Sequence, residues 1–400
     1  MISDKPDRIT ISWVNHLKKL LITVDNPSRT GWLIRLILCV VLSTSPGLVQ
    51  AASSTLQIDT FRELSTAAAS GPHDFAEVIG NSRSTVVRAD DTLHTIARRT
   101  GVGLGELQLA NPQLDLWLPD AGAQVLLPTL HILPDALQTQ GGSATQVVVN
   151  LPEFRLYLLK NQRVMTYPVS IGRDGFATPL LVSKVTEKRR DPVWRPTASI
   201  LREAEKRGEP LEREVPPGPD NPLGKFAIRL GSSAYLIHGT NRPSGLGLRV
   251  SHGCVRMFPS DIEHVFSQVA SGDRVVIVNE PVKVGWRGGS LWMEVHPPLD
   301  EFPLDDDALL SHALDLAFDE MLTQSELTRQ LANNVEKPAD DLAEQLTTPE
   351  LLLDDVAVRQ AVELKNGIAV QVTTSRLPDS RAAAVSPAAP GDVNLSLIHI

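Results

Sequence analysis

Between residues 146 and 278 the chain is written in short apolar runs of period two, broken by turn signals, and only one stretch reads as a helix. Residues 146–150 and 154–158 alternate in this way, with Leu151, Pro152 and Glu153 marking the turn between them. A further strand is expected over 164–171, a hairpin over 226–230 and 235–238 through Gly231, Ser232 and Ser233, and a closing strand over 274–278. Such alternation half-buries a strand, so these runs have to pair into a sheet with an apolar face. The single helix is expected over 259–269, opened by Ser260 and Asp261 and stopped by Gly272. A mostly-β domain over 143–279 follows.

A polar, proline-rich stretch interrupts these strands from Lys184 to Pro222 and contains an amphipathic segment over 200–206. An insertion of that length inside a domain is expected to form a lid or one wall of a groove, the alternative being a plain surface excursion. Trp194, set beside prolines, is a candidate to stack on substrate; its plainer role is a packing anchor.

A second compact unit is expected over 84–130 with the order β-α-α-β. It starts at Val86 and Val87, and its first helix opens at Asp91 and Thr92 with an acidic cap. Leu93, Ile96 and Ala97 share one face of that helix, and Gly101 ends it. A second short helix over 105–111 precedes a turn at Asn111 and Pro112, and residues 124–128 close the unit as a strand.

The flanks read differently. Arg35 precedes an apolar run over 36–42, and small residues follow at Ala51 and Ala52. That is the pattern of a signal peptide over 1–51; an uncleaved run would serve as an anchor. Residues 52–83 read as a linker with a helix near 60–69. Leu310, Leu314, Ala317 and Met321 mark an amphipathic helix in an extension over 280–345. Residues 346–400 are acidic and rich in Ala and Pro, and a largely disordered tail is expected there.

Chemistry concentrates in one place. Cys254 lies in Ser-His-Gly-Cys-Val-Arg at 251–256, and His238 starts His-Gly-Thr-Asn at 238–241, so a thiol and two imidazoles fall within 17 residues. The other cysteine, Cys39, lies in the apolar leader. Cleavage would leave Cys254 without a disulfide partner, which favours a chemical role for it. A thiol becomes a nucleophile once a base draws off its proton, and an imidazole does this and later returns the proton to a leaving amine. His238 follows an apolar run and would be held on a strand. Gly253 lets the backbone come close to a ligand, with the amides of His252, Gly253 and Cys254 available to an oxyanion. Arg256 suits a bidentate grip on a substrate carboxylate. His238, His252 and Cys254 also resemble three zinc ligands, with His296 as a distant fourth. The net charge of −9 offers no basic stripe to neutralise phosphates, so nucleic acid is excluded as a partner.

The residues over 143–279 resemble the YkuD-type catalytic domain of L,D-transpeptidases, in the ErfK/YbiS branch of Gram-negative bacteria. The resemblance rests on Ile171-Gly172-Arg173, Thr178-Pro179, Asp191-Pro192-Val193-Trp194, 218–224, Ile237-His238-Gly239-Thr240-Asn241 and 247–256. It implies a β-sandwich catalytic domain in the periplasm and a peptidoglycan tetrapeptide stem as donor. It also implies Cys254 as nucleophile, His238 as base oriented by the Gly239 backbone, His252 as a stabilising group and neither cofactor nor metal. Ser251, Thr240, Asn241 and Trp194 would line the substrate. The acceptor amine would come from another stem or from the C-terminal lysine of an outer-membrane lipoprotein. A carboxypeptidase or amidase of the same fold, or a wall-binding protein without catalysis, stays open as an alternative. Residues 84–130 resemble a LysM domain, which implies a glycan-strand partner held near Asp91, Thr92, Asn111 and Pro112.

Overall fold

The computed structural model describes residues 63–64, 77–137, 144–334 and 350–376. The expected signal peptide with Cys39, most of the linker, and the ends of the tail lie outside the described residues. Among the described residues no helix is long and apolar enough to cross a membrane.

The strands run in chain order as β1 (Glu63–Leu64), β2 (Val78–Gly80), β3 (Arg83–Val86), β4 (Gln124–Leu127), β5 (Leu130–Ile132), β6 (Gln146–Asn150), β7 (Arg155–Lys160), β8 (Arg163–Pro168), β9 (Ile171–Gly172) and β10 (Leu181–Arg190). There follow β11 (Phe226–Leu230), β12 (Leu236–His238), β13 (Arg249–Ser251), β14 (Val255–Arg256), β15 (Arg274–Val278), β16 (Val282–Arg287), β17 (Ser290–Val295), β18 (Glu350–Leu353), β19 (Val370–Gln371) and β20 (Thr373–Arg376). The described helices are α1 (Leu93–Thr100), α2 (Leu104–Ala110), α3 (Ala198–Lys206), α4 (Pro259–Gln268), α5 (Asp306–Asn334) and α6 (Asp355–Leu364).

One sheet of order β1-β8-β7-β6-β15-β10-β11-β12-β14 carries the molecule. The pairs β6–β15 and β12–β14 are parallel and the other neighbours antiparallel. Each residue of β6 is buried because both faces of the strand are covered. Val147 and Val149 enter the main core, while Val148 joins Ile79, Leu133, Leu137 and Tyr157 on the other side. Period two is what lets one strand serve two cores.

The sheet curls at β10. Its first four residues pair with β15, and from Val185 onward it pairs with β11 through a bulge between Val185 and Glu187. A bulge bends a strand and raises its twist, so the two halves of the sheet come to face each other. Val149, Leu158 and Ile277 from one half meet Phe226, Ile228 and Val255 from the other, with Ile262 and Val265 of α4 closing the end. The expected sandwich is therefore a single curled sheet. The expected insertion also starts too early: residues 184–190 belong to the central strand. Only Val185 of this strand is buried, so its Ser, Lys, Glu and Arg residues conceal it from a reading based on apolar runs.

The unit over Arg83–Leu127 has the expected order β3-α1-α2-β4, with β3 and β4 antiparallel around a core of Leu93, Ile96, Leu107 and Val125. The cap of α1 is Thr92, in a reciprocal box with Thr95, and not the neighbouring aspartate. Gly101 ends α1 at φ 70°. Glu63–Leu64 forms a strand against β8, and the rest of the helix expected near 60–69 lies outside the described residues.

Beyond the sheet, β16 and β17 form a hairpin covered by α5 and α6. Leu309, Ala313 and Ala317 of α5 are fully buried there. The tail expected to be disordered is folded over 350–376: β18 pairs with β20, β19 extends β17, and Val358, Val362 and Val372 enter the same core. Five or six apolar residues placed against a waiting face outweigh a polar average composition.

Candidate active site

Parallel pairing of β12 and β14 builds the centre. Ile237 is opposite Val255, which puts His238 one residue past the pair and Cys254 one residue before it. Both side chains open into a groove of about 970 Å3, lined also by Trp194, Tyr235, Asn241, Ser251, His252 and Arg256. The Cys254 thiol is half-buried, and burial pushes its pKa up; the Leu236 backbone and the positive charge of Arg256 pull the other way without cancelling that rise.

His238 is 3% exposed. Its Nδ1 lies 2.6 Å from the Gly239 carbonyl, and a carbonyl only accepts, so Nδ1 carries the proton. Nε2 is left as the basic atom. Burial first, and the Arg256 charge second, bring the His238 pKa down to about 3. At neutral pH the ring is therefore uncharged and able to take a proton.

Gly253 sits at φ 97°, and a Cβ there would come within 2.8 Å of the Tyr235 ring. Its carbonyl accepts from Thr178 Oγ1 at 3.0 Å, and its amide donates to Ser251 Oγ at 3.1 Å. Of the three amides expected to face an oxyanion, the Gly253 amide is thus already engaged. Ser251 also bonds the Cys254 carbonyl, at 2.5 Å. It is 1% exposed, lines the groove and closes the turn under the nucleophile.

Other expected residues divide in the same way. Asn241 and Trp194 line the groove, Asn241 holding the Asp220 carbonyl at 2.9 Å and Trp194 paired through its backbone with Val215. Thr240 is buried, accepts from the Arg242 amide and does not line the groove, so its expected substrate role is corrected to a turn cap. Arg256 has a buried Nε without a partner among the described residues, beside the thiol. An unpaired buried donor is costly, which makes this atom a ready seat for an acceptor from a ligand.

His252 is held from a distance that no local motif reveals. Its Nε2 lies 2.8 Å from Glu203 on α3 and 3.0 Å from Arg173, which itself pairs with Glu203 at 2.6 Å. Phe176 stacks edge-on against the ring at 4.6 Å. The His252 hydrogen bond, followed by Arg173, lowers the Glu203 pKa. Glu203 is 49 residues from His252 in sequence, and only the fold of the insertion brings them together.

In the βααβ unit, Asp91 is tied to Arg99 at 2.8 Å and to the Arg88 amide. Asn111 is 1% exposed and uses its amide on Leu107 and Leu126, clamping α2 to β4. Both residues, expected near a glycan strand, hold the unit together through these bonds. Pro112 is exposed, Thr92 half-exposed, and Trp117, which sequence reasoning passed over, is 61% exposed and stacked on His94 at 4.8 Å.

Zinc at Cys254 does not fit the donor set. His238, His252 and Cys254 are not a group of converging ligand atoms among the described residues, and His296 is buried elsewhere against Glu294 at 2.7 Å. Among the described residues one group, His131, Glu153 and Glu294, brings ligating atoms within 4.8 Å of one another. The Lys283 ammonium occupies the cation position there, 2.6 and 3.2 Å from the two carboxylates, and none of these residues lines the groove.

The sequence over 144–277 matches the L,D-transpeptidase catalytic domain, YkuD. The chain is 42% identical over 234 residues to the probable L,D-transpeptidase ErfK/SrfK of Escherichia coli, covering 57% of this chain and 73% of that protein. It is 41% identical over 251 residues to the probable L,D-transpeptidase YcfS of the same organism, covering 60% and 76%. With the putative L,D-transpeptidase YkuD of Bacillus subtilis the identity is 30% over 192 residues, covering 48% and 96%.

Proposed function

Because the chain belongs to the L,D-transpeptidase family, we propose that its groove accepts a peptidoglycan tetrapeptide stem and that Cys254 and His238 carry the acyl transfer. The supporting observation is that the parallel pair β12–β14 brings both residues to one groove, with His238 Nδ1 committed to Gly239. Cys254 Sγ attacks the carbonyl between the third and fourth stem residues while its proton passes to His238 Nε2. The tetrahedral intermediate collapses, His238 returns the proton to the departing D-alanine amine, and a thioester is left. An acceptor amine then attacks the thioester, gives its proton to His238, and the thiolate leaves as the new amide forms.

Arg256 is placed to hold a stem carboxylate through its free Nε, and Trp194 and Asn241 border the bound peptide. Two acceptors suit this chemistry: the diamino acid of a second stem, and the C-terminal lysine of an outer-membrane lipoprotein. Both place the protein in the periplasm, in keeping with the leader pattern. The βααβ unit is read as a LysM-like holder of the glycan strand, on the strength of its order β3-α1-α2-β4 and the exposed Trp117 stacked on His94.

The test is incubation of the protein with tetrapeptide muropeptides, with and without a lysine-ended peptide, and resolution of products by mass. Loss of D-alanine with gain of the acceptor supports transfer. Release of D-alanine with no acceptor product under either condition would mark a carboxypeptidase, and no product at all a binding protein.

A further inference from the structure

A βααβ unit tied to its neighbour only by linkers would touch it loosely. Here the contact is backbone to backbone. The Leu104 and Gly105 amides, in the first turn of α2, donate to the Leu246 and Gly247 carbonyls at 3.3 and 3.2 Å. A Cβ on Gly105 would lie 2.5 Å from the Gly247 oxygen, and one on Gly247 would lie 2.5 Å from the Leu104 nitrogen. Neither position admits a side chain, and Gly247 is in addition left-handed at φ 83°. Leu248 then packs onto the core of the unit.

Beside this contact Glu106 gives both carboxylate oxygens to Arg155, at 2.7 and 2.6 Å. The two side chains are 6% and 3% exposed, and Arg155 opens β7 of the main sheet. A buried ion pair adds little net stability, because desolvation offsets the attraction, but it is poorly replaced by any other arrangement of the same groups.

Cys254 follows Gly247 by seven positions, and little slack is left between them. Arg249 reaches the Gly172 carbonyl and the carboxylates of Asp174, Asp300 and Glu301. Ser251 joins the Gly253 amide to the Cys254 carbonyl. We infer that the βααβ unit is a positioning element for the nucleophile: Gly105 and Glu106 act through residues 246–251 to set where the Cys254 sulfur stands. Neither touches substrate. The inference rests on the transpeptidase reading only for the identity of the nucleophile, while the mechanical link stands on the contacts themselves.

The full chain carrying Gly105→Ala or Glu106→Gln is compared with Arg98→Ala, which alters an exposed residue on α1. Three quantities are read: the alkylation rate of Cys254 by iodoacetamide, hydrogen exchange over 246–251, and kcat and KM on a glycan-free tetrapeptide. Displacement of a reacting atom by about 1 Å costs up to ~100-fold, so a partial shift should lower kcat about tenfold with KM within about twofold. Alkylation should change by a similar factor and exchange should quicken, while Arg98→Ala matches the parent. If Gly105→Ala does not fold, Glu106→Gln, which keeps its size, decides. A folded Glu106→Gln with unchanged alkylation, exchange and kcat overturns the inference. Shifts in alkylation and exchange in a protein whose parent makes no transfer product would uphold the link and sink the functional reading instead.

Discussion

At Cys254 and His238 the resting pair is uncharged. Burial raises the thiol pKa, and burial with Arg256 lowers that of the imidazole to about 3, so at pH 7 the one keeps its proton and the other lacks one. The proton moves when the carbonyl arrives. Alkylation of the free enzyme by iodoacetamide should therefore rise with pH through a midpoint above the ordinary thiol value; a fast plateau at neutral pH would show a preformed ion pair and contradict this. The same depression has a stability consequence. Below about 6.5 the unfolded imidazole takes a proton that the folded one refuses, so stability falls as pH drops from there towards about 3. The loss from His238 should reach about 5 kcal/mol at the lower end, at ~1.36 kcal/mol per unit. Buried His131 acts in the same direction. Urea unfolding at pH 4 and pH 7 checks it, with His238→Gln removing its share of the difference. The identity of these two residues was legible in sequence because a glycine adjoins each, Gly239 after His238 and Gly253 before Cys254. The burial that tunes them comes from residues far along the chain and was not.

The element that decides the groove is the insertion after β10. Its helix α3 was legible from the amphipathic segment at 200–206, but its purpose was not, since Glu203 meets its partners only after folding. Glu203 joins α3 to Arg173, His252 and Arg207, and so ties the insertion to the loop that carries the nucleophile. An acceptor amine outcompetes water best in a partly closed site. Glu203→Gln weakens that hold without removing the helix, so hydrolysis should gain on transfer by severalfold, measured as free tripeptide against acceptor product. An unchanged ratio would mean that the insertion does not shield the thioester. Strand β10 was illegible for a related reason. A strand that borders a groove on one side and solvent on the other carries Glu187, Arg189 and Arg190 where apolar residues would reveal it.

Across the whole molecule, three segments lock together at Lys283. Its ammonium meets Glu153 of the main sheet domain, Glu294 of β17 and the Ile132 carbonyl of β5, all buried. Burial raises the Glu153 pKa, whereas burial of Glu294 is overcome by Lys283 and His296, which hold it low. Removing one partner of a buried pair costs about 3–5 kcal/mol. Lys283→Met should lower stability by that amount in urea unfolding; a change below ~1 kcal/mol would show that the cluster is not a lock. The extension and the residues at 350–376 belong to this assembly because they complete its second core, which composition alone could not announce. Composition averages over a segment, whereas docking depends on the few positions that meet a face.

The most direct measurement is the intact mass of the protein during turnover of a tetrapeptide stem. Acylation predicts a species heavier by the tripeptide-bearing acyl group, located by peptide mapping on Cys254, with one D-alanine released per adduct and no such species in Cys254→Ala. Transfer product formed by Cys254→Ala at the parent rate, with no adduct in either protein, would contradict it.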